Sequence, residues 1–132
     1  MSVVFLWKKR YMTVHLGDSR IYKINKKNIS QLTYDHRTGQ NRLTRCLSSF
    51  GYQMPDVQYG RVKSRTGFLV CSDGFYHFQE KELLADLLSP AEIRNEQAIG
   101  KRLKELAVYG LKKGEKDNMS AVYLLCSTGS VR

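Results

Sequence analysis

The sequence predicts an α+β fold: an antiparallel β-sandwich flanked by helices. Three observations carry this. About six short β-rich runs fill residues 3–71, apolar residues then recur at helical spacing across 80–111, and one further β-rich run occupies 119–126. Strands grouped before helices argue for antiparallel pairing rather than for alternating β and α units with a parallel sheet.

Each element has its own local reason. Residues 3–7 are an apolar run, Lys8-Lys9-Arg10 is a polar turn, and 11–16 alternates well enough to pair back as a hairpin. Residues 20–25 and 29–34 form a second hairpin across Lys26-Lys27-Asn28. Residues 35–40 read as loop, 41–47 as a helical turn, and 48–55 as irregular, with Gly51 and Pro55 as breakers. Residues 57–62 and 68–71 are expected to be the next strand pair, joined by the polar stretch 63–67.

The period then changes. Residues 80–88 and 95–111 place apolar side chains on one helical face, with Ile99, Leu103, Leu106, Ala107 and Leu111 in the second. Ser89-Pro90 separates the two helices, and Gly114 ends the second, with Lys112-Lys113 favourably placed in its last turn. In the last run Val122, Leu124 and Cys126 alternate with Ala121, Tyr123 and Leu125, so both faces of that strand are expected to be buried. Residues 127–132 read as a flexible tail.

The 132 residues suffice for one domain or part of one, and 42% hydrophobic with 26% charged residues is ordinary for a globular chain. The formal charge of +10 is not. It is scattered rather than striped along a helix, which argues against a nucleic-acid face and fits an acidic or phosphorylated partner as well. Cys46, Cys71 and Cys126 are odd in number and lack zinc-ligand spacing, so they read as buried thiols in a reducing compartment. The apolar start is too short for a secretory signal and its basic cluster follows rather than precedes it. No stretch is long and apolar enough to span a membrane, and a cytoplasmic location is expected.

Chemistry concentrates at three acidic corners. Residues 67–71 run into Ser72-Asp73-Gly74, Asp117-Asn118 opens 119–126, and Gly17-Asp18-Ser19-Arg20 repeats the arrangement early in the chain. A carboxylate where a buried strand meets solvent is held by the sheet yet open to a ligand. Any one of them alone reads as an Asx turn or a cap. Three together point to a hard-cation site, because Mg²⁺ and Mn²⁺ take oxygen ligands and keep several waters. Gly74 permits close backbone approach, and Asn118 can orient a neighbouring carboxylate or a water.

Other candidates read as structural. His15 sits on a strand between Val14 and Leu16, His36 can tether its loop by hydrogen bonds, and His77 lies in the aromatic turn 75–78. No cysteine sits in a phosphate-cradling loop, and neither Ser19 nor Ser72 is in a Gly-x-Ser-x-Gly elbow.

Five segments carry a family resemblance: Gly17-Asp18-Ser19-Arg20-Ile21-Tyr22, Leu32-Thr33-Tyr34-Asp35-His36, Asn41-Arg42-Leu43-Thr44-Arg45-Cys46-Leu47, Phe68-Leu69-Val70-Cys71-Ser72-Asp73-Gly74 and Asp117-Asn118-Met119-Ser120-Ala121-Val122. In this order they resemble the C-terminal motifs of the metal-dependent serine/threonine phosphatases, the protein phosphatase 2C or PPM family, in its compact bacterial form. The resemblance implies a β-sandwich flanked by helices with two or three Mg²⁺ or Mn²⁺ ions at one end. It implies hydrolysis of phosphoserine and phosphothreonine monoesters by a metal-activated water, with no protein nucleophile. Asp73 and Asp117 match ligands of the binuclear centre, Asp18 matches a ligand of an accessory third ion, and Asn118 and Gly74 would support them.

The departures are as definite. The family's N-terminal strands and helices supply the bridging metal ligands, a phosphate-binding arginine and a candidate acid histidine. Those motifs do not precede residue 3, so residues 1–126 read as the C-terminal portion of such a domain, with partial metal binding and little turnover by itself. The flap that related enzymes insert after the Asp-His pair is reduced to Arg37-Thr38-Gly39-Gln40. A non-catalytic binding or regulatory module on the same frame is the alternative. Two copies are expected to associate through exposed strands, residues 3–7 above all.

Overall fold

The computed structural model describes residues 1–26, 28–39, 42–47, 51–63 and 65–126. The expected tail at 127–132 lies outside the described residues. The chain runs β1 (Ser2–Trp7), β2 (Arg10–His15), β3 (Arg20–Asn25), β4 (Asn28–Gln31), β5 (Arg37–Thr38), β6 (Arg42–Leu43), β7 (Asp56–Arg61), β8 (Thr66–Cys71), α1 (Asp73–Tyr76), α2 (Lys81–Leu87), α3 (Glu96–Lys112) and β9 (Ala121–Cys126). The strands form sheets ordered β1-β2-β7 and β4-β3-β8-β9, with β5-β6 as a separate small ribbon. Every pairing is antiparallel. The expected α+β sandwich with flanking helices is therefore the fold that forms.

Period-2 alternation builds the layers. On β3 and β8, Ile21 and Phe68 face the three-stranded sheet and pack with Tyr11, Leu32 and Val62. The Tyr11 and Phe68 rings meet edge-on at 5.2 Å between centroids. The alternate residues Tyr22, Ile24, Leu69 and Cys71 turn to the other side, against Phe75, Tyr76, Leu84, Leu88, Ile93 and Leu106. The wider sheet is thus covered by strands on one face and helices on the other. Tyr123 of β9 joins the helical side, and its buried hydroxyl donates to the Leu88 carbonyl at 2.7 Å. Gly67 on the neighbouring strand makes room for that ring: a Cβ there would lie 2.0 Å from the Tyr123 hydroxyl.

The helices end as their sequence dictates. The Asn95 side chain accepts from the Ala98 N–H at 2.8 Å and caps α3. At the other end Gly114 adopts φ +101°, its N–H donates to the Leu111 carbonyl, and the Glu115 N–H donates to the Gly110 carbonyl. This is a Schellman ending, and it fixes where the chain goes next. Arg65 ties the α2–α3 connection to the sheet by donating to the carbonyls of Pro90 and Ile93.

Four local expectations are corrected. β7 and β8 do not pair with each other: β7 extends the first hairpin through β2, and β8 crosses to the other sheet between β3 and β9. The part of 41–47 that is described is not helical, because Arg42–Leu43 pairs with Arg37–Thr38 to form a short tongue, which also places a strand in the expected loop 35–40. A helical turn, α1, begins at Asp73 where only a turn was expected. β9 is not buried on both faces. It is the edge of a four-stranded sheet facing a three-stranded one, and Val122 stays 58% exposed.

Candidate metal centre

Sheet pairing brings two of the acidic corners together. β8 and β9 are neighbours with Cys71 opposite Ala121, so the residues beyond their ends share one rim of the sandwich. Ser72 ties these ends to each other. Its N–H donates to the Ser120 carbonyl at 2.9 Å, while its Oγ accepts from the Ser120 N–H at 3.0 Å and donates to the Asn118 carbonyl. Asp73 then opens α1, and Asp117 stands in the loop before β9. Both line one cleft of about 360 Å³, together with Arg37, Gly74, Tyr76, His77 and Glu115.

The two carboxylates are anchored in the same way. Asp73 Oδ1 accepts from the Gly74 N–H at 3.0 Å, and Asp117 Oδ1 accepts from the Asn118 N–H at 2.7 Å. The second oxygen of each has no protein partner among the described residues. Gly74 is required by closeness, since a Cβ there would come within 2.5 Å of the Asn118 carbonyl oxygen and 3.1 Å of Asp117 Cβ.

Sequence reasoning missed Glu115, and its side chain is only 7% exposed. Its Oε1 accepts from the N–H groups of Lys116 and Asp117, at 2.8 and 2.9 Å, and so shapes the loop that presents Asp117. Its Oε2 accepts from His77 Nδ1 at 3.0 Å. The Asp117 N–H, with the Lys116 N–H and His77 behind it, holds the Glu115 carboxyl below the usual carboxylate range. The available signal was the helix-ending glycine just before it. His77, expected to be structural, sits 64% exposed on the cleft wall.

Asp18 does not line this cleft. It stands one step away, where the Tyr76 hydroxyl donates to its main-chain carbonyl at 2.8 Å. Among the described residues, no group of three or more His, Cys, Asp or Glu side chains converges closely enough to hold a metal ion. The Asn118 contribution is made by its main chain, through the N–H on Asp117 and the carbonyl on Ser72.

The tongue is pinned from beneath. Gly17 N–H donates to His36 Nδ1 at 3.1 Å, so the proton is on Nε2, which donates to Asp56 Oδ2 at 2.7 Å. Arg45 donates to the other Asp56 oxygen at 2.8 Å. His36 therefore does tether its loop, as its position suggested. Arg20 clamps the preceding residue, donating from Nε and NH2 to the two Asp35 oxygens at 2.9 and 2.8 Å while its guanidinium lies 3.7 Å from the Tyr76 ring centre. Burial would raise the Asp35 carboxyl, but the Arg20 bonds and charge outweigh it and hold the group low. Cys71 is no nucleophile: burial pushes its thiol up to about 12. A wider cavity of about 900 Å³ lies among Trp7, Lys8, Lys9, Arg10, Arg61 and Lys63, but its cationic lining cannot hold a cation.

No protein-family model and no curated protein sequence matches the chain. Solved structures do. A bacterial serine phosphatase superposes with a TM-score of 0.83 at 22% identity, covering 98% of this chain and 58% of that one. The serine/threonine phosphatase Stp1 from Staphylococcus aureus gives 0.77 at 22%, with 97% and 56% covered. The catalytic domain of the serine/threonine protein phosphatase PstP, in complex with two manganese ions, gives 0.74 at 23%, with 94% and 57% covered. The chain thus has the fold of these phosphatases, the one its motifs imply, and spans a little over half of their length. None of its helices among the described residues is long and apolar enough to cross a membrane.

Proposed function

We propose that residues 1–126 form the C-terminal portion of a PPM-type domain that hydrolyses phosphoserine and phosphothreonine monoesters in proteins with Mg²⁺ or Mn²⁺. The single observation that supports this reading is the convergence of Asp73 and Asp117 in one cleft, on adjacent strand ends of this fold. The donor chemistry fits a hard divalent cation. Each carboxylate is oriented by a main-chain N–H on one oxygen and offers the other, and two such groups on a rigid frame suffice for an ion that keeps several waters. Asp73 and Asp117 would hold the cation, Asn118 and Gly74 would fix their approach, and Asp18 would serve a further ion.

A bound divalent ion supplies Lewis-acid activation of water and neutralises charge on the phosphoryl oxygens. The chain's own residues orient the site. Glu115 sets the Asp117 loop, Ser72 locks the two strand ends, and Tyr76 spans from the cleft to Asp18. The remaining ligands belong to the part of the fold that this chain does not span, so binding by the chain alone is expected in the millimolar range. A cytoplasmic location goes with this reading. So does self-association through the outer face of β1-β2-β7, where Phe5, Trp7, Val57 and Tyr59 are exposed; a monomer by light scattering at high protein concentration would exclude it.

Isothermal titration with Mn²⁺ tests the metal reading. The parent should release heat that Asp73→Asn and Asp117→Asn lose, and equal heats in all three would remove it. Adding a polypeptide that supplies the rest of the fold should raise hydrolysis of a phosphoserine peptide. Cation binding without hydrolysis in that mixture would mark the chain as a binding module on the same frame.

A further inference from the structure

We propose that Arg37, on the tongue, is the residue that receives the phosphate monoester in the acidic cleft. This rests on the phosphatase reading above and adds a substrate-contacting group to it. Arg37 lines the same cleft as Asp73 and Asp117. Its neighbour Asp35 is not free to pair with it, because Arg20 already occupies both oxygens of that carboxylate. Arg37 is left with one long contact, Nε to Asp35 Oδ2 at 3.8 Å, beyond hydrogen-bonding range. Its two terminal nitrogens have no protein partner among the described residues, and the side chain is 29% exposed.

The backbone that carries this guanidinium is held through its partner strand and through His36. Arg37 pairs with Leu43 across the tongue, the Thr44 N–H donates to the His36 carbonyl, and His36 is fixed between Gly17 and Asp56. A permanent cation in the lining of a cation site repels the incoming metal. The arrangement becomes favourable when a dianion lies between them, neutralised by the metal on one side and by a planar fork of donors on the other. Guanidinium geometry suits that role, because two parallel N–H groups match two oxygens of a phosphate. The anion is therefore a tetrahedral dianion with its ester oxygen turned to solvent, as a phosphorylated side chain on a protein surface would present it.

The test titrates inorganic phosphate into the 132-residue chain, with saturating Mg²⁺ and without metal, for the parent, R37A and R37K. R37A should weaken phosphate binding about tenfold or more, the range for losing hydrogen bonds to a charged group, while Mg²⁺ affinity holds or rises slightly. R37K should fall between, since it keeps charge and loses the fork. Circular dichroism melts of each variant separate loss of the site from loss of the fold, and R37K stands in if R37A does not fold. Phosphate affinity equal in parent and R37A, or no phosphate binding by the parent in either condition, overturns the assignment. Phosphate binding that depends on Arg37 in a chain that binds no divalent cation would overturn the phosphatase reading and leave the assignment standing.

Discussion

Gly74 and Asn118 meet backbone to backbone. A methyl group on Gly74 would stand 2.5 Å from the Asn118 carbonyl oxygen, closer than non-bonded atoms approach. One strand end therefore abuts the other only because position 74 carries no side chain. Gly74→Ala should cost about 1–3 kcal/mol, as overpacking does, and weaken Mn²⁺ binding by displacing the Asp117 loop. Urea denaturation and calorimetric titration of the same sample check both effects.

The Arg20–Asp35 clamp should matter more than an ordinary surface pair, because both side chains are mostly covered, at 23% and 16% exposure, and the contact is bidentate. Arg20→Ala leaves a half-buried carboxylate and strips a cation from the Tyr76 face, at about 1–3 kcal/mol. The tongue should then become the first site of limited proteolysis. A double-mutant cycle with Asp35→Ala should give a coupling that neither single change reveals.

Acid should destabilise the fold through three carboxylates. Glu115, Asp35 and Asp56 all titrate below their ordinary values of 4.5 and 3.8 in the folded chain. For Asp56 the leading cause is the hydrogen bond from His36, joined by Arg45. Lowered folded values mean that the unfolded chain takes up protons first, so the stabilisation is complete above the ordinary values and lost as pH falls through and below them. Urea midpoints measured from pH 7 to pH 3 should decline most steeply below about pH 4.5, and Glu115→Gln should flatten the upper part of that decline.

Tyr123→Phe removes the hydroxyl that donates to the Leu88 carbonyl and should cost about 1–2 kcal/mol. Phe68→Ala, at the centre of the sandwich with no exposure, should cost about 3–5 kcal/mol through cavity formation. Thermal melts that reverse this order would contradict the layer assignment given to the two faces of β8.

The alternating and helical periods named nearly every long element, because each one buries a face and burial leaves its period in the sequence. What failed was pairing. Nothing local in 57–62 or 66–71 says which sheet a strand enters, since either neighbour satisfies its hydrogen bonds. The tongue was invisible for a related reason: two-residue strands such as Arg37–Thr38 are too short to show a period. Exposure of Val122 follows from the unequal widths of two sheets, a property of the assembly and not of β9. At the site, Asp73 and Asp117 stood out because small and amide residues flank them at strand ends. Glu115 was marked only by the helix-ending glycine before it, and Arg37 gave no sign, since the role proposed for it follows from a neighbour already occupied.

The Schellman ending of α3 makes the cleft sensitive to length in a way it is not sensitive to composition. Side chains along the exposed flank of that helix are free to drift. A single added or deleted residue would rotate everything beyond it by about 100° and carry Glu115 and Asp117 off the rim together. A replacement in this part of the chain should therefore disturb the cleft far less than an insertion or deletion, and α3 works as a measuring rod cut to one size.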